Sequence, residues 1–155
     1  MAATSTNKQP LLVDHVLHVV QNLDNAINNG LDIIGTNDAK LLVDSTSADG
    51  AIIEDVYLIA RGTAQYDVNL YISTARDYLR PNEAYFVGTV KSASTLKGIT
   101  RWEEMPFCLV PAPYLGDEPR NRAFYLPKGY SLWAARQSDT PVTDGPLIGV
   151  QGGWY

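Results

Sequence analysis

Two histidines close to the N-terminus are the first residues along the chain whose spacing could create a metal site. His15 and His18 are three residues apart, so on a helix both could bind the same metal ion. A zinc site needs another Cys, His or carboxylate ligand at a recognisable spacing, and the adjacent Asp14 does not complete such a motif. We therefore interpret both histidines as structural, and no metal ion is expected.

Two segments contain carboxylates in patterns similar to those of a calcium loop and of a glycoside hydrolase. The segment Asp24–Gly30 resembles a calcium loop, but Ala26 occupies a ligand position and the glycine comes one place late. Glu103 and Glu104 lie beside Trp102, but neighbouring residues of a strand point to opposite faces, so these two carboxylates would not flank one sugar. The glutamates are expected to lie in a solvated loop.

The remaining enzyme motifs are missing from the sequence. The single cysteine, Cys108, excludes an internal disulfide, and its apolar surroundings between Pro106 and Pro111 predict a small buried residue. There is no Gly-x-Ser-x-Gly elbow, no phosphate-binding loop and no dinucleotide fingerprint. We predict no catalytic residue and no cofactor, and do not expect an enzyme. A hydrolase with carboxylates assembled from distant loops is the alternative.

Composition restricts the class of protein further. A chain of 155 residues, 45% of them hydrophobic, is long enough for one domain with a substantial core. The net charge of −5 argues against nucleic acid as a partner, because nucleic-acid binding needs a basic surface. No apolar run approaches about 18 residues, and residues 1–8 have no signal-peptide core, so we expect no membrane span and a cytoplasmic site of synthesis.

The first part of the chain predicts an arm rather than a compact unit. Residues 1–10 are small and polar, which is typical of an extended arm. Residues 11–20 are rich in valine and predict a strand, with a helix from Asp14 to Ala26 as the alternative. Turn residues follow up to Asp38. We divide the chain into an N-terminal arm and docking segment, residues 1–38, and a β-sandwich domain, residues 39–155.

From Lys40 onward, alternating polarity and turn residues recur at short intervals. In the segment Ala51–Arg61, alternation places Ile52 and Val56 on one face and Ile53 on the other. The predicted strands are Lys40–Asp44, Ala51–Arg61, Val68–Ser73, Tyr85–Val90, Phe124–Leu126, Tyr130–Ala135 and Leu147–Val150. This pattern predicts an all-β fold, an antiparallel β-sandwich or jelly-roll-like domain with an extended N-terminal arm and long loops.

Aromatic residues and the arm supply the candidate binding residues. Prolines interrupt residues 92–122, which we interpret as long loops that form a contact surface. The tyrosines at 57, 71, 85 and 125 are interpreted as strand residues on a half-exposed face. Aromatic residues near loops and the terminus are expected to be exposed and to anchor a subunit interface, with a glycan site as the alternative. Together with the arm, the interface candidates are Lys8, Gln9, Pro10, Leu11, Leu12, Trp102, Tyr114, Trp133, Trp154 and Tyr155.

The most distinctive element of the sequence is Phe124–Ala134, in which Leu126-Pro127-Lys128-Gly129-Tyr130-Ser131-Leu132 joins two strand-like runs. It follows strand-like segments at 53–62 and 68–73, and the chain ends in Gly-Gly-Trp-Tyr. In these features residues 51–155 resemble the small β-sandwich structural proteins of tailed bacteriophages. Residues 11–38 depart from the pattern of that family.

The resemblance implies a non-enzymatic virion protein, most similar to the capsid decoration (cement) proteins that bind the outer shell and stabilise it. It further implies a homotrimer in the virion, assembled in the host cytoplasm, with the major capsid protein or another virion protein as partner. An arm such as residues 4–12 could pair as an added strand with a neighbouring subunit. The alternative is a tail, baseplate or head-fibre component that acts as a receptor- or glycan-binding module.

Overall fold

The computed structural model describes residues 15–28, 39–92, 98–102, 123–138 and 142–155. Within these ranges the regular structure is β-strand, apart from one 3₁₀ turn at Pro81–Glu83. Among the described residues, no helix has the length and apolar character needed to cross a bilayer. In chain order the strands are β1 (His15–Asn22), β2 (Lys40–Asp44), β3 (Gly50–Ile59), β4 (Asp67–Ser73), β5 (Ala84–Lys91), β6 (Ile99–Arg101), β7 (Phe124–Pro127), β8 (Ser131–Arg136) and β9 (Leu147–Trp154).

The strands form two antiparallel sheets. Sheet A has the order β1-β9-β3. The other edge of β3 pairs with two short strands: β7 pairs with the first residues of β3, and β6 pairs with the last residues of β3. Sheet B has the order β2-β8-β4-β5. The two sheets pack against each other, which confirms the predicted all-β antiparallel sandwich.

The main core lies between the two sheets. Alternate residues of each strand point inward, so every strand except the short β6 contributes apolar side chains from one of its faces. Burial of each such side chain stabilises the fold by about 1.5–3 kcal/mol. The buried cluster includes Leu17, Ile53, Val56, Leu58, Leu126, Ile148 and Val150 from sheet A, and Val43, Val68, Leu70, Leu132 and Ala134 from sheet B.

A second, smaller cluster covers the outward side of sheet B. Tyr71 and Trp133 lie side by side on β4 and β8, and Leu79 from the segment between β4 and β5 packs on them. The interpretation of Tyr71 as a half-exposed strand residue is therefore wrong, since its exposed fraction is 0%. Both faces of sheet B thus make apolar contacts with other segments of the same chain.

The turn between β7 and β8 has the predicted structure. Residues Pro127-Lys128-Gly129 connect the two strands, and Gly129 has a φ of +84°, a backbone conformation that glycine adopts readily. Because β7 belongs to sheet A and β8 to sheet B, this turn carries the chain from one sheet to the other. The predicted strand at 147–150 is also found, and it continues to Trp154 as β9.

The predicted faces of β3 are wrong in its first half. The register between β3 and β9 shifts between Ile53 and Asp55, so Glu54 is an extra residue, a β-bulge. Ile53 points into the core before the bulge and Val56 after it, whereas Ile52 points outward. Unbroken alternation would have placed Ile52 with Val56.

The segment around residues 11–20 is extended over its described part. β1 runs from His15 to Asn22 and pairs with β9 along its whole length, so the strand prediction is confirmed there and the helix alternative is excluded. β1, which we assigned to the docking segment 1–38, is therefore a strand of sheet A. Several predictions fall on residues outside the described ranges: Lys8, Gln9, Pro10, Leu11, Leu12, Glu103, Glu104, Cys108 and Tyr114.

Candidate functional site

The outward side of sheet A, here called the open face, carries apolar side chains that no described segment covers. Val16 is 84% exposed, Ile99 65%, Val20 45% and Tyr125 39%. The strand registers place the following residues on this face: Val16, His18, Val20 and Asn22 of β1, Leu147, Gly149, Gln151 and Gly153 of β9, Ile52, Asp55, Tyr57 and Ile59 of β3, Ile99 and Arg101 of β6, and Tyr125 of β7.

Tyr57 occupies the centre of the open face. Its ring lies directly over Gly149 of the neighbouring strand, where a β-carbon would overlap the ring. The tyrosine therefore extends across β9, and its hydroxyl oxygen reaches His18 Nε2 on β1 at 2.8 Å. A glycine at position 149 is what allows residues of the first and third strands to form this hydrogen bond.

An ion pair lies beside this central group. Arg101 of β6 and Asp55 of β3 approach to 2.9 Å, and the Asp55 side chain is only 16% exposed. The exposed Glu54, at the bulge, adds a further negative charge close to the face. The polar groups at the middle of the open face are thus largely engaged with one another, and the apolar residues lie on either side of them.

One end of the open face is aromatic. The rings of Tyr125 and Tyr155 stack with centroids 5.5 Å apart and an interplanar angle of 21°. The Tyr155 backbone is held by two hydrogen bonds: its N–H donates to the Gly50 carbonyl at 3.3 Å, and its carbonyl accepts from the Asp49 N–H at 2.7 Å. The Asp49 side chain in turn pairs with Lys128 at 3.0 Å.

The structure does not place the predicted aromatic interface residues together. Trp102 and Trp133 are 5% and 3% exposed, so the expectation that they are exposed anchors is wrong. Trp133 is on a central strand and beneath the segment that carries Leu79, whereas Trp102 belongs to the main core. Trp154 is half-buried against the main core, and of the predicted aromatic residues that are described, Tyr155 is the one beside the open face.

In a strand, the spacing of the two histidines does not bring their side chains to the same side. His15 and His18 lie on opposite faces of β1, because an odd spacing along a strand reverses the direction of the side chain. Asp24, from the calcium-like loop, bonds instead to Arg61 and accepts a hydrogen bond from the Gly145 N–H at 2.8 Å. Within the described ranges, no three His, Cys, Asp or Glu side chains are grouped to hold a metal ion.

The sequence of β1 contains a weak signal for the open face. In β1 the residues Leu17 and Val19 alternate with Val16, His18 and Val20, so apolar side chains occur on both faces of the strand. A strand at the surface of an ordinary antiparallel sandwich alternates between apolar and polar residues. Apolar residues at the outward positions of β1 were therefore an indication of a second contact surface.

We expect Gly149→Ala to lower the free energy of unfolding by about 1–3 kcal/mol, because the new methyl group must displace the Tyr57 ring. In a Tyr57→Ala background the same substitution should cost much less, since the obstacle is gone. Urea denaturation of the wild type, both single variants and the double variant measures this coupling. An equal cost of Gly149→Ala in the two backgrounds would show that Tyr57 is not the group that it meets.

The open face is an outward sheet surface suited to contact with another macromolecule. Exposed apolar residues grouped on one face of a sheet are typical of interaction sites. Comparisons of this chain with protein-family models, with curated proteins and with solved structures give no match.

Proposed function

We propose that this chain is a non-enzymatic structural protein of a tailed-bacteriophage virion, a capsid decoration protein that binds the outer shell and stabilises it. The observation that carries the proposal is the open face, a surface of exposed apolar residues on a β-sandwich that would contact a neighbouring subunit on the shell, with its central polar groups paired to each other. Such a surface has the properties of a protein contact. A substrate site is instead concave, with polar groups that converge on a ligand.

The resemblance to phage structural proteins gives the proposal its specific form. Its strongest element, Phe124–Ala134, comprises β7, the turn at Gly129 and most of β8, and it connects the two sheets of the sandwich. This element therefore has a structural role in the fold, which accords with a family whose members share an architecture rather than a catalytic motif. The resemblance implies a homotrimer, and the proposal keeps the trimer as the expected unit.

Decoration stabilises a shell through mass action. A subunit that binds the assembled shell, and not its separated components, shifts the equilibrium toward the shell. Because a shell repeats the same site many times, each contact can be weak and the total effect still large. In this proposal the attachment to the shell comes from residues 1–12, whose main chain would pair with an acceptor strand of the partner.

The proposal predicts that removal of residues 1–12 abolishes binding to the shell and leaves the solution mass unchanged. The test is co-sedimentation of the purified chain with capsids of the encoding phage that lack it, together with light scattering. We expect the full-length chain to bind in saturable amounts, to raise the temperature at which the capsids release DNA, and to have three times the 17.0 kDa chain mass. Failure of the full-length chain to bind the capsids would overturn the decoration role.

A second candidate function is supported by the stacked pair Tyr125 and Tyr155. Aromatic rings at a surface stack on sugars, and the exposed Asp49–Lys128 pair close to Tyr155 offers an acceptor and donors for hydroxyl groups. A receptor- or glycan-binding module of the tail would use such a group. Binding to a glycan array that Tyr125→Ala removes would favour this function, whereas an array without signal would leave the decoration role as the better proposal.

A further inference from the structure

We propose that the open face is the contact between two copies of this chain, packed face to face about a two-fold axis that runs parallel to β9. The inference rests on the proposed function only in treating the open face as a protein contact. It goes further, because it names the occupant and the arrangement. The contact joins two subunits, so it is additional to any three-fold contact and would link subunits of neighbouring trimers.

The charge of the open face favours a second copy as its occupant. The chain carries a net charge of −5, so two copies repel each other on average. On the open face Asp55 is balanced by Arg101, and Glu54 is the further acidic group at its margin. A second copy can therefore approach this face with little repulsion. A strongly basic partner would gain little, because Glu54 is the further acidic group that it could bind there.

The hydrogen bonds on the face lower the cost of burying it. A polar group that loses water without gaining a partner costs free energy, and an unpaired charge costs more. His18 and Tyr57 are already joined at 2.8 Å, and Arg101 and Asp55 at 2.9 Å. These four polar side chains keep a partner when an apolar surface covers them.

The strand order decides between two ways of placing the two-fold axis. β9 lies between β1 and β3, so an axis parallel to β9 puts β1 of each copy opposite β3 of the other. The registers then place Val16 opposite Ile52 and His18 opposite Asp55. An axis across the strands at the level of Gln151 would instead place His18 opposite His18 and Asp55 opposite Asp55. The first arrangement keeps the two Asp55 carboxylates apart, and the second brings them together.

The area of the face predicts a reversible contact. With the axis along β9, the three strands β1, β9 and β3 overlap; at about 4.8 Å apart and about eight residues long they give a projected area on the order of 400 Å² per copy. A specific interface of standard size buries about 800 Å² per partner. Apolar side chains that protrude from the sheet within the overlap, such as Val16 and Val20, add to the smaller figure. We therefore expect association that depends on protein concentration, rather than a permanent dimer.

The test is the mass of the full-length chain as a function of concentration, by sedimentation velocity. We expect the mass of the basic unit, monomer or trimer, to double as the concentration rises from micromolar towards millimolar. Val16→Glu and Ile52→Lys should each raise the dissociation constant of this step about a hundredfold, since two-fold symmetry puts each charge into the contact twice. An equimolar mixture should recover tenfold or more of that loss, because Glu at 16 then faces Lys at 52.

Tyr85→Glu is the matched control for these variants. Tyr85 is 61% exposed on β5 of sheet B, so it receives the same change from an apolar to an acidic residue away from the open face. It should leave the doubling of mass intact. Circular dichroism confirms that each variant is folded, and the reversed pair, Val16→Lys with Ile52→Glu, replaces any variant that is not.

Three results would overturn the inference. The first is a wild-type mass that does not depend on concentration, and the second is a doubling that Val16→Glu leaves unchanged. The third is a mixture that does not associate better than its components, which would exclude the arrangement with Val16 opposite Ile52. None of these results depends on binding to capsids, so failure of this inference and failure of the decoration role are distinguishable.

Discussion

Replacement of Trp133 by alanine is expected to lower the free energy of unfolding by about 3–5 kcal/mol. Trp133 is 3% exposed and packs with Tyr71 and Leu79 on the outward side of sheet B. Its ring N–H donates to Ser131 Oγ at 2.7 Å, and that hydroxyl donates in turn to a backbone carbonyl in the segment that covers the sheet. The substitution leaves a cavity and removes the hydrogen bond together.

Two further variants separate these contributions. Trp133→Phe keeps most of the ring volume and loses the hydrogen bond, so we expect a cost of about 1 kcal/mol. Trp154→Ala removes the same side chain from a half-buried position at the end of β9 and should cost clearly less than Trp133→Ala. Urea denaturation followed by circular dichroism measures all three. A cost for Trp133→Ala no larger than that for Trp154→Ala would contradict the burial of Trp133.

The second large effect is expected at Gly152, where alanine should cost about 3 kcal/mol or more. A β-carbon at this position would overlap the carbonyl oxygen of Ile52, a backbone atom of the paired strand. Gly152 lies opposite Ile53, at the register shift that forms the bulge in β3. A flexible side chain could move aside, but backbone in the middle of a sheet cannot do so without separation of the two strands.

Gly129→Ala is the matched control for Gly152→Ala. Gly129 has a φ of +84°, and a β-carbon there would have no atom within 4 Å. The cost of alanine should therefore be that of the left-handed backbone alone, about 1–2 kcal/mol. Thermal or urea denaturation compares the two variants. If Gly152→Ala were as stable as Gly129→Ala, the close approach of β9 to the bulge would not be a determinant of the fold.

The two sheets of the sandwich differ in what covers their outward sides. The outward side of sheet B is covered by the segment that contains Leu79, and the residues beneath it, such as Trp133, are buried. On the outward side of sheet A, Val16 and Ile99 are exposed. A tryptophan on one face is part of the core, while a valine on the other is available to a partner. From the residue types alone, we would expect the tryptophan to be at a contact surface and the valine to be buried.

The sequence by itself determined the local structure of this protein. Strands at 40–44, 68–73 and 124–126 and the turn at Gly129 were all predicted correctly. Alternation of polarity along a strand and the φ preference of a turn residue are properties of a few neighbouring residues, so they can be predicted without knowledge of the rest of the chain. The all-β class follows from the repetition of these signals.

Only the tertiary structure decided which faces are buried and which are open. The bulge that reverses Ile53 depends on Gly152, which lies in the last strand of the chain. The partners of β1 and the burial of Trp133 likewise depend on segments distant in sequence. Burial is a property of all the atoms that surround a side chain, and pairing selects those atoms from the whole chain. The residues of β1, β9 and β3 that make up the open face therefore follow only from the pairing of these three strands.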